Sequence, residues 1–209
     1  GLWESTSLMD NGSSNDGGST PPFFNSIERQ LLGMGEDEIL GQGHFCLEPV
    51  RLAGRRLRAD TSTPGRYILM ECRDNSSWDR YCGGCGLLVY LVDRSDGEML
   101  RLWESNRINC TPGKEGARII PALEEAQRAA DVFFPKPGRR SLSPTPYGIN
   151  LSLRDIHINA DGSVERYALD RMQTNDDEQM ASSGVIDEFV DAIVENRPSL
   201  LDAEDILKS

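Results

Sequence analysis

The sequence predicts an α+β fold: a mostly antiparallel β-sheet of five or more strands packed against two or three helices. Three observations carry this expectation. Two pairs of apolar runs are joined by turns ending in Asp-Gly, the chemistry of tight hairpins, at 93–97 and 159–162. Apolar residues recur at three- and four-residue steps around 24–31, 120–134 and 185–194, the spacing of one helix face. Finally, 209 residues with 38% hydrophobic content supply enough chain to bury one core.

Taken in chain order, residues 1–22 read as a flexible acidic arm, rich in Ser, Gly, Asn and Asp and aperiodic apart from Leu8 and Met9. Residues 23–196 read as a single α+β domain. It opens after Pro21-Pro22 with a short helix on Phe24, Ile27 and Leu31, ended by Gly33. A second helix is expected over 50–58, and 66–72 reads as a strand. Residues 87–92 and 98–103 read as a hairpin turning on Asp96-Gly97. A helix is expected over 120–134, with Pro121 in its first turn. Four prolines make 135–148 a stiff connector. The second hairpin pairs 151–158 with 163–169. A further helix, capped by Ser182 or Ser183, spans 183–196 and stops before Pro198, and 197–209 reads as a short acidic helix or tail.

The chain carries a net charge of −12 and an isoelectric point of about 4.6, concentrated at its ends. Residues 1–50 hold eight acids and one base, and residues 171–209 hold ten acids and three bases. Such a surface opposes unaided binding to nucleic acid or to anionic membranes, both of which require cationic patches, and it suits a partner with a basic surface. The local basic cluster of Arg51, Arg55, Arg56 and Arg58 balances the acids rather than marking a phosphate site. Nothing approaches the roughly 18 to 20 apolar residues of a transmembrane helix. Asn-X-Ser/Thr acceptors at Asn11, Asn75, Asn109 and Asn150 suit a secreted glycoprotein, whereas five cysteines, an odd number, fit a reducing compartment; an intracellular or organellar location is the expectation.

The candidate chemistry lies in Cys82-Gly83-Gly84-Cys85-Gly86. Two thiols two residues apart on a glycine turn can point at one soft cation, and Cys72 and Cys110 complete a tetrahedral set, with His44 and Cys46 as alternative ligands. A closed site of that kind is structural zinc and adds folding free energy. The same pair also suits a disulfide, a redox couple or unligated thiols. His157 lies in a strand, on the face opposite its neighbouring isoleucines, and reads as a surface histidine.

Cys46-Leu47-Glu48 followed by Cys82-Gly83-Gly84-Cys85 resembles in outline the zinc deaminases. That resemblance implies Cys46, Cys82 and Cys85 as ligands and Glu48 as proton shuttle. The sequence departs from the pattern at Pro49, in lacking a proline before Cys82, and in continuing into a strand after Cys85. With no complete catalytic constellation in view, the leading expectation is a non-enzymatic acidic interaction or assembly subunit, zinc-stabilised, that docks on a larger protein. A zinc-dependent hydrolase and a secreted disulfide-containing glycoprotein are the alternatives.

Overall fold

The computed structural model describes residues 4–52, 55–143, 148–149 and 151–170. The chain divides into two compact units, Gly1–Asp170 and Arg171–Ser209, and the description below concerns the first. The expected helix over 183–196 and the tail 197–209 lie outside the described residues.

The architecture is α+β. A five-stranded sheet runs in the order β1 (Asp37–Ile39), β3 (Arg56–Asp60), β4 (Arg66–Arg73), β5 (Gly86–Asp93) and β6 (Ala117–Ile119). Only the β1–β3 pair is parallel. A smaller antiparallel sheet is ordered β2 (Gly43–Leu47), β8 (Val164–Asp170) and β7 (Leu151–Ile158). Period-two alternation along the central strands sorts side chains to two faces. From β4 and β5, Ile68, Met70, Cys72, Leu87, Val89 and Leu91 join Leu47, Leu153, Ile156 and Val164 of the small sheet in one core. The opposite face sends Tyr67, Leu69, Leu88, Tyr90 and Val92 against Ile27, Trp103 and Phe133 in a second core. Central strands buried on both faces explain why 67–70 and 87–92 are continuous apolar runs.

The helix expected near residues 23–33 forms as α1 (Ser26–Leu31), started by a reciprocal capping box between Asn25 and Glu28. Three other expectations are corrected. Residues 97–104 form a helix, α2 (Gly97–Glu104), rather than the second strand of a hairpin. The Asp96 carboxylate accepts from the N–H groups of Glu98 and Met99, both at 2.8 Å, so Asp-Gly here caps a helix instead of closing a turn. Met99 and Trp103, one helical turn apart, are the residues it buries. Within 50–58, residues 50–52 form a turn and Arg56 begins β3, whose Leu57 and Ala59 reach the core between the sheets. The arginines of this stretch pair with acids: Arg51 with Asp74 at 2.5 Å, Arg55 with Glu38, Arg56 with Asp37, and Arg58 with Asp60 at 2.7 Å.

Residues 120–134 are not a helix either. Ile120 extends the β5 pairing through its N–H to the Val89 carbonyl at 2.8 Å, a single 3-10 turn covers Ala129–Val132, and Phe134 exchanges both backbone bonds with Leu87 at 2.8 and 2.9 Å. Phe133 and Phe134 then enter opposite cores, which consecutive residues of an extended chain can do and those of a helix cannot.

The N-terminal segment forms short 3-10 stretches at Glu4–Thr6 and Asn11–Gly18 and is tied down through a buried ionic seam. Arg73 and Glu71 are both fully buried on β4 and bond at 2.9 Å. Arg73 also donates to Asp79 at 2.5 Å and to the Phe23 carbonyl at 3.1 Å, while the Tyr90 hydroxyl donates to Glu71 at 2.7 Å. Burial pushes the Asp79 carboxyl up, with Arg73 opposing, and the two nearby carboxylates hold Arg73 charged although burial works against it. One step outward, Glu28 accepts from the Ser7 hydroxyl at 2.7 Å and from the Met9 N–H at 3.0 Å. The arm is thereby fixed to the same face as α1.

Candidate functional site

The thiols are placed first by strand alternation. Cys72 lies in the core between the sheets, its Sγ donating to the Gly162 carbonyl at 3.2 Å. Cys82 lies in the core on the other face, 3.7 Å from Asp79 and 3.6 Å from the Ser5 carbonyl. Cys85, Cys110 and Cys46 are exposed, and all five thiols are free. The structure does not bring Cys72, Cys82, Cys85 and Cys110 to one point: the sheet separates the first two, and among the described residues no three His, Cys, Asp or Glu side chains gather in a metal-holding group. Burial pushes the Cys82 thiol up to about 12 and Cys72 further still, so neither is a thiolate near neutrality. Cys46, Glu48 and Cys85 are exposed while Cys82 is enclosed, so the arrangement that the deaminase resemblance implies is not assembled among them.

The glycines of the cysteine run have a packing cause. The 129–134 segment lies directly on them, and a Cβ built on Gly84 would sit 2.5 Å from the Phe133 ring. At Gly86, where φ is +124°, a Cβ would stand 2.1 Å from the Phe134 carbonyl oxygen. Glycine is required here so that one backbone can approach another.

His44 was an alternative zinc ligand. It is exposed on β2, and its Nε2 lies 3.3 Å from Glu165 on β8, which also meets Nε2 of His157 on β7 at 3.0 Å. His157 thus sits on the outer face of the small sheet, as its alternation foretells. A hydrogen bond from Asn159 and the two imidazoles hold the Glu165 carboxyl below the usual carboxylate range. This His–Glu–His row ties the three strands together from outside.

A concavity of about 700 Å³ opens elsewhere, between the arm, the β6 edge and the 126–132 segment. Its size is that of a ligand or peptide site. Met9, Ile108, Ile119 and Val132 supply apolar surface, and Glu4, Asp10 and Glu115 share the walls with Arg118 and Arg128. Each wall is held by structure already described. Glu28 anchors Ser7 and Met9, and Asp131 accepts from the N–H groups of Gln127 and Arg128 at 3.2 and 3.0 Å, which holds its carboxyl below the usual range. On the third side Asn109, with φ of +60°, bonds to both backbone groups of Ala117. Sequence reading missed this groove because its walls come from a segment read as flexible, a segment read as a helix, and an asparagine read only as a glycan acceptor. The single local signal was the apolar pair Leu8-Met9 inside an otherwise polar arm.

Compared with known proteins, the chain matches no family model, no curated protein and no solved structure.

Proposed function

We propose that the protein is a non-enzymatic interaction subunit that holds a segment of a larger partner in the groove between its N-terminal arm and β6. The observation that carries this reading is the groove's construction. Apolar surface is rimmed by three acids, Glu4, Asp10 and Glu115, against two bases, Arg118 and Arg128, on a chain of net charge −12, and the arm that forms one wall is fastened by buried charge. Isolated surface charges do little for affinity but steer and select partners, so the acids favour a segment with Lys or Arg beside apolar residues. The same charge disfavours nucleic acid. No helix among the described residues is long and apolar enough to cross a membrane. Free thiols at Cys46, Cys85 and Cys110, all exposed, support a reducing, intracellular setting.

Charge reversal tests the reading. Asp10→Lys with Glu115→Lys is expected to weaken binding of Lys/Arg-containing peptides on an array at least tenfold, whereas Glu36→Lys with Glu104→Lys, which lie outside the groove, leaves binding nearly unchanged. Equal losses in both variants would show that only overall charge matters and would contradict a localised site.

A further inference from the structure

The groove contains an exposed sheet edge, and the hydrogen-bond phase of β6 says which of its backbone groups are available. Asp93 donates to Gly116 at 2.8 Å and Ile120 donates to Val89 at 2.8 Å, and both are directly opposed pairs in the β5–β6 register. In an antiparallel ladder such bonded pairs alternate with non-bonded ones. Ala117 and Ile119, which stand opposite Val92 and Tyr90, therefore turn their N–H and C=O groups away from β5. Since β6 is the last strand of its sheet, these groups face the groove.

Ala117 is already satisfied, in an unusual manner. The Asn109 carboxamide donates to its carbonyl at 2.6 Å and accepts from its N–H at 3.1 Å. A side-chain carboxamide has the chemistry of a peptide group, so Asn109 occupies the place that one residue of a neighbouring strand would take. At the next outward position the same alternation turns the N–H and C=O of Ile119 away from β5, and the Ile119 side chain packs against the Trp103 core beside them. Beyond it Pro121, which also lines the groove, has no N–H to satisfy.

Resting on the reading of the groove as a partner site, we infer that recognition occurs by strand addition. An extended segment of a partner protein, carrying Lys or Arg next to an apolar residue, pairs with Ile119 along the open edge of β6, and Asn109 holds the adjoining position until a longer segment displaces it. Backbone pairing supplies affinity in this mode and alternate side chains supply selectivity. Here one side-chain row meets Met9, Ile108 and Val132, and the basic residue meets Asp10 or Glu115. The short edge and the Asn109 plug also limit unwanted pairing between copies, the usual hazard of an open edge.

The test uses the full chain and twelve-residue random peptides displayed on phage, with affinities then measured on the synthetic winners. Winners are expected to alternate apolar and Lys/Arg positions. Methylating the one peptide nitrogen that donates to Ile119 should weaken binding about tenfold, the loss expected for one backbone hydrogen bond. Ile119→Pro removes the outward N–H and no ladder bond but also trims the side chain from the Trp103 core, so it is read against Ile119→Ala, which trims the side chain and keeps the N–H; relative to that variant it should do the same while leaving the circular dichroism spectrum intact. Asn109→Gly keeps the positive φ and frees Ala117, and should tighten binding several-fold. Winners sensitive to Met9→Asp but indifferent to peptide methylation and to Ile119→Pro would overturn strand addition and leave the partner site standing. Winners indifferent to Met9→Asp as well would overturn both. A concentration-dependent dimer of the unmodified chain that Ile119→Pro abolishes would give the edge to a second copy and overturn a heterologous partner.

Discussion

Two residues show how burial acts in opposite directions here. Gly84 has ordinary φ, so its requirement is one of space: the Phe133 ring leaves no room for a Cβ at 2.5 Å. Gly84→Ala should cost roughly 1–3 kcal/mol by overpacking, read as a lower urea midpoint with the slope unchanged. A wild-type midpoint would mean that the 129–134 segment does not lie on the cysteine run. Arg166 is the reverse case. It is 1% exposed, its guanidinium nitrogens have no hydrogen-bond partner among the described residues, the Phe45 ring lies 4.4 Å from the guanidinium carbon, and the charge of Glu38 acts on it without a hydrogen bond. Burial pushes its pKa down to about 10. Below that value the charge is retained at a cost to the folded state, which is relieved as pH rises from the folded toward the unfolded value. Arg166→Met removes the cost and loses the cation–π contact, worth about 1 kcal/mol. A net gain of roughly 1–2 kcal/mol is expected, and a loss of stability would show that the guanidinium has a partner.

Strands were the legible elements because their signal is repeated along many residues. The runs at 66–72 and 87–92 and the 151–169 hairpin formed as their composition foretold. Asp96-Gly97 misled because Asp serves a turn and a helix cap with the same carboxylate, and only the burial of Met99 and Trp103 decides between them. Residues 120–134 misled because their apolar spacing fits a helical face, while Ile120 and Phe134 go to one core and Phe133 to the other. The placement of the thiols was hidden for a related reason. Spacing brings Cys72 and Cys82 close along the chain, but alternation on β4 and the turn after it send them to opposite faces. Iodoacetamide on the native chain should therefore add three adducts, at Cys46, Cys85 and Cys110, and all five only after denaturation. Native protection of Cys85 and Cys110, released by a chelator, would restore the four-sulfur zinc centre.

Across the described unit, the acidic composition and the proposed partner site meet at the arm. The charge pattern was legible in the sequence; its placement was not, because fastening the arm depends on Glu28, Glu71, Arg73 and Asp79 meeting across positions far apart in the chain. That buried seam gives the groove a preformed wall, which reduces the ordering cost of binding. The claim that a partner segment lies in the groove against β6 is tested most directly by amide exchange at Ile119, followed with and without a saturating Lys/Arg-containing apolar peptide. The outward Ile119 amide should exchange freely alone and slow at least tenfold in the complex, while the His44 and His157 strands stay unchanged. Protection of other amides with Ile119 still exchanging freely would contradict the account.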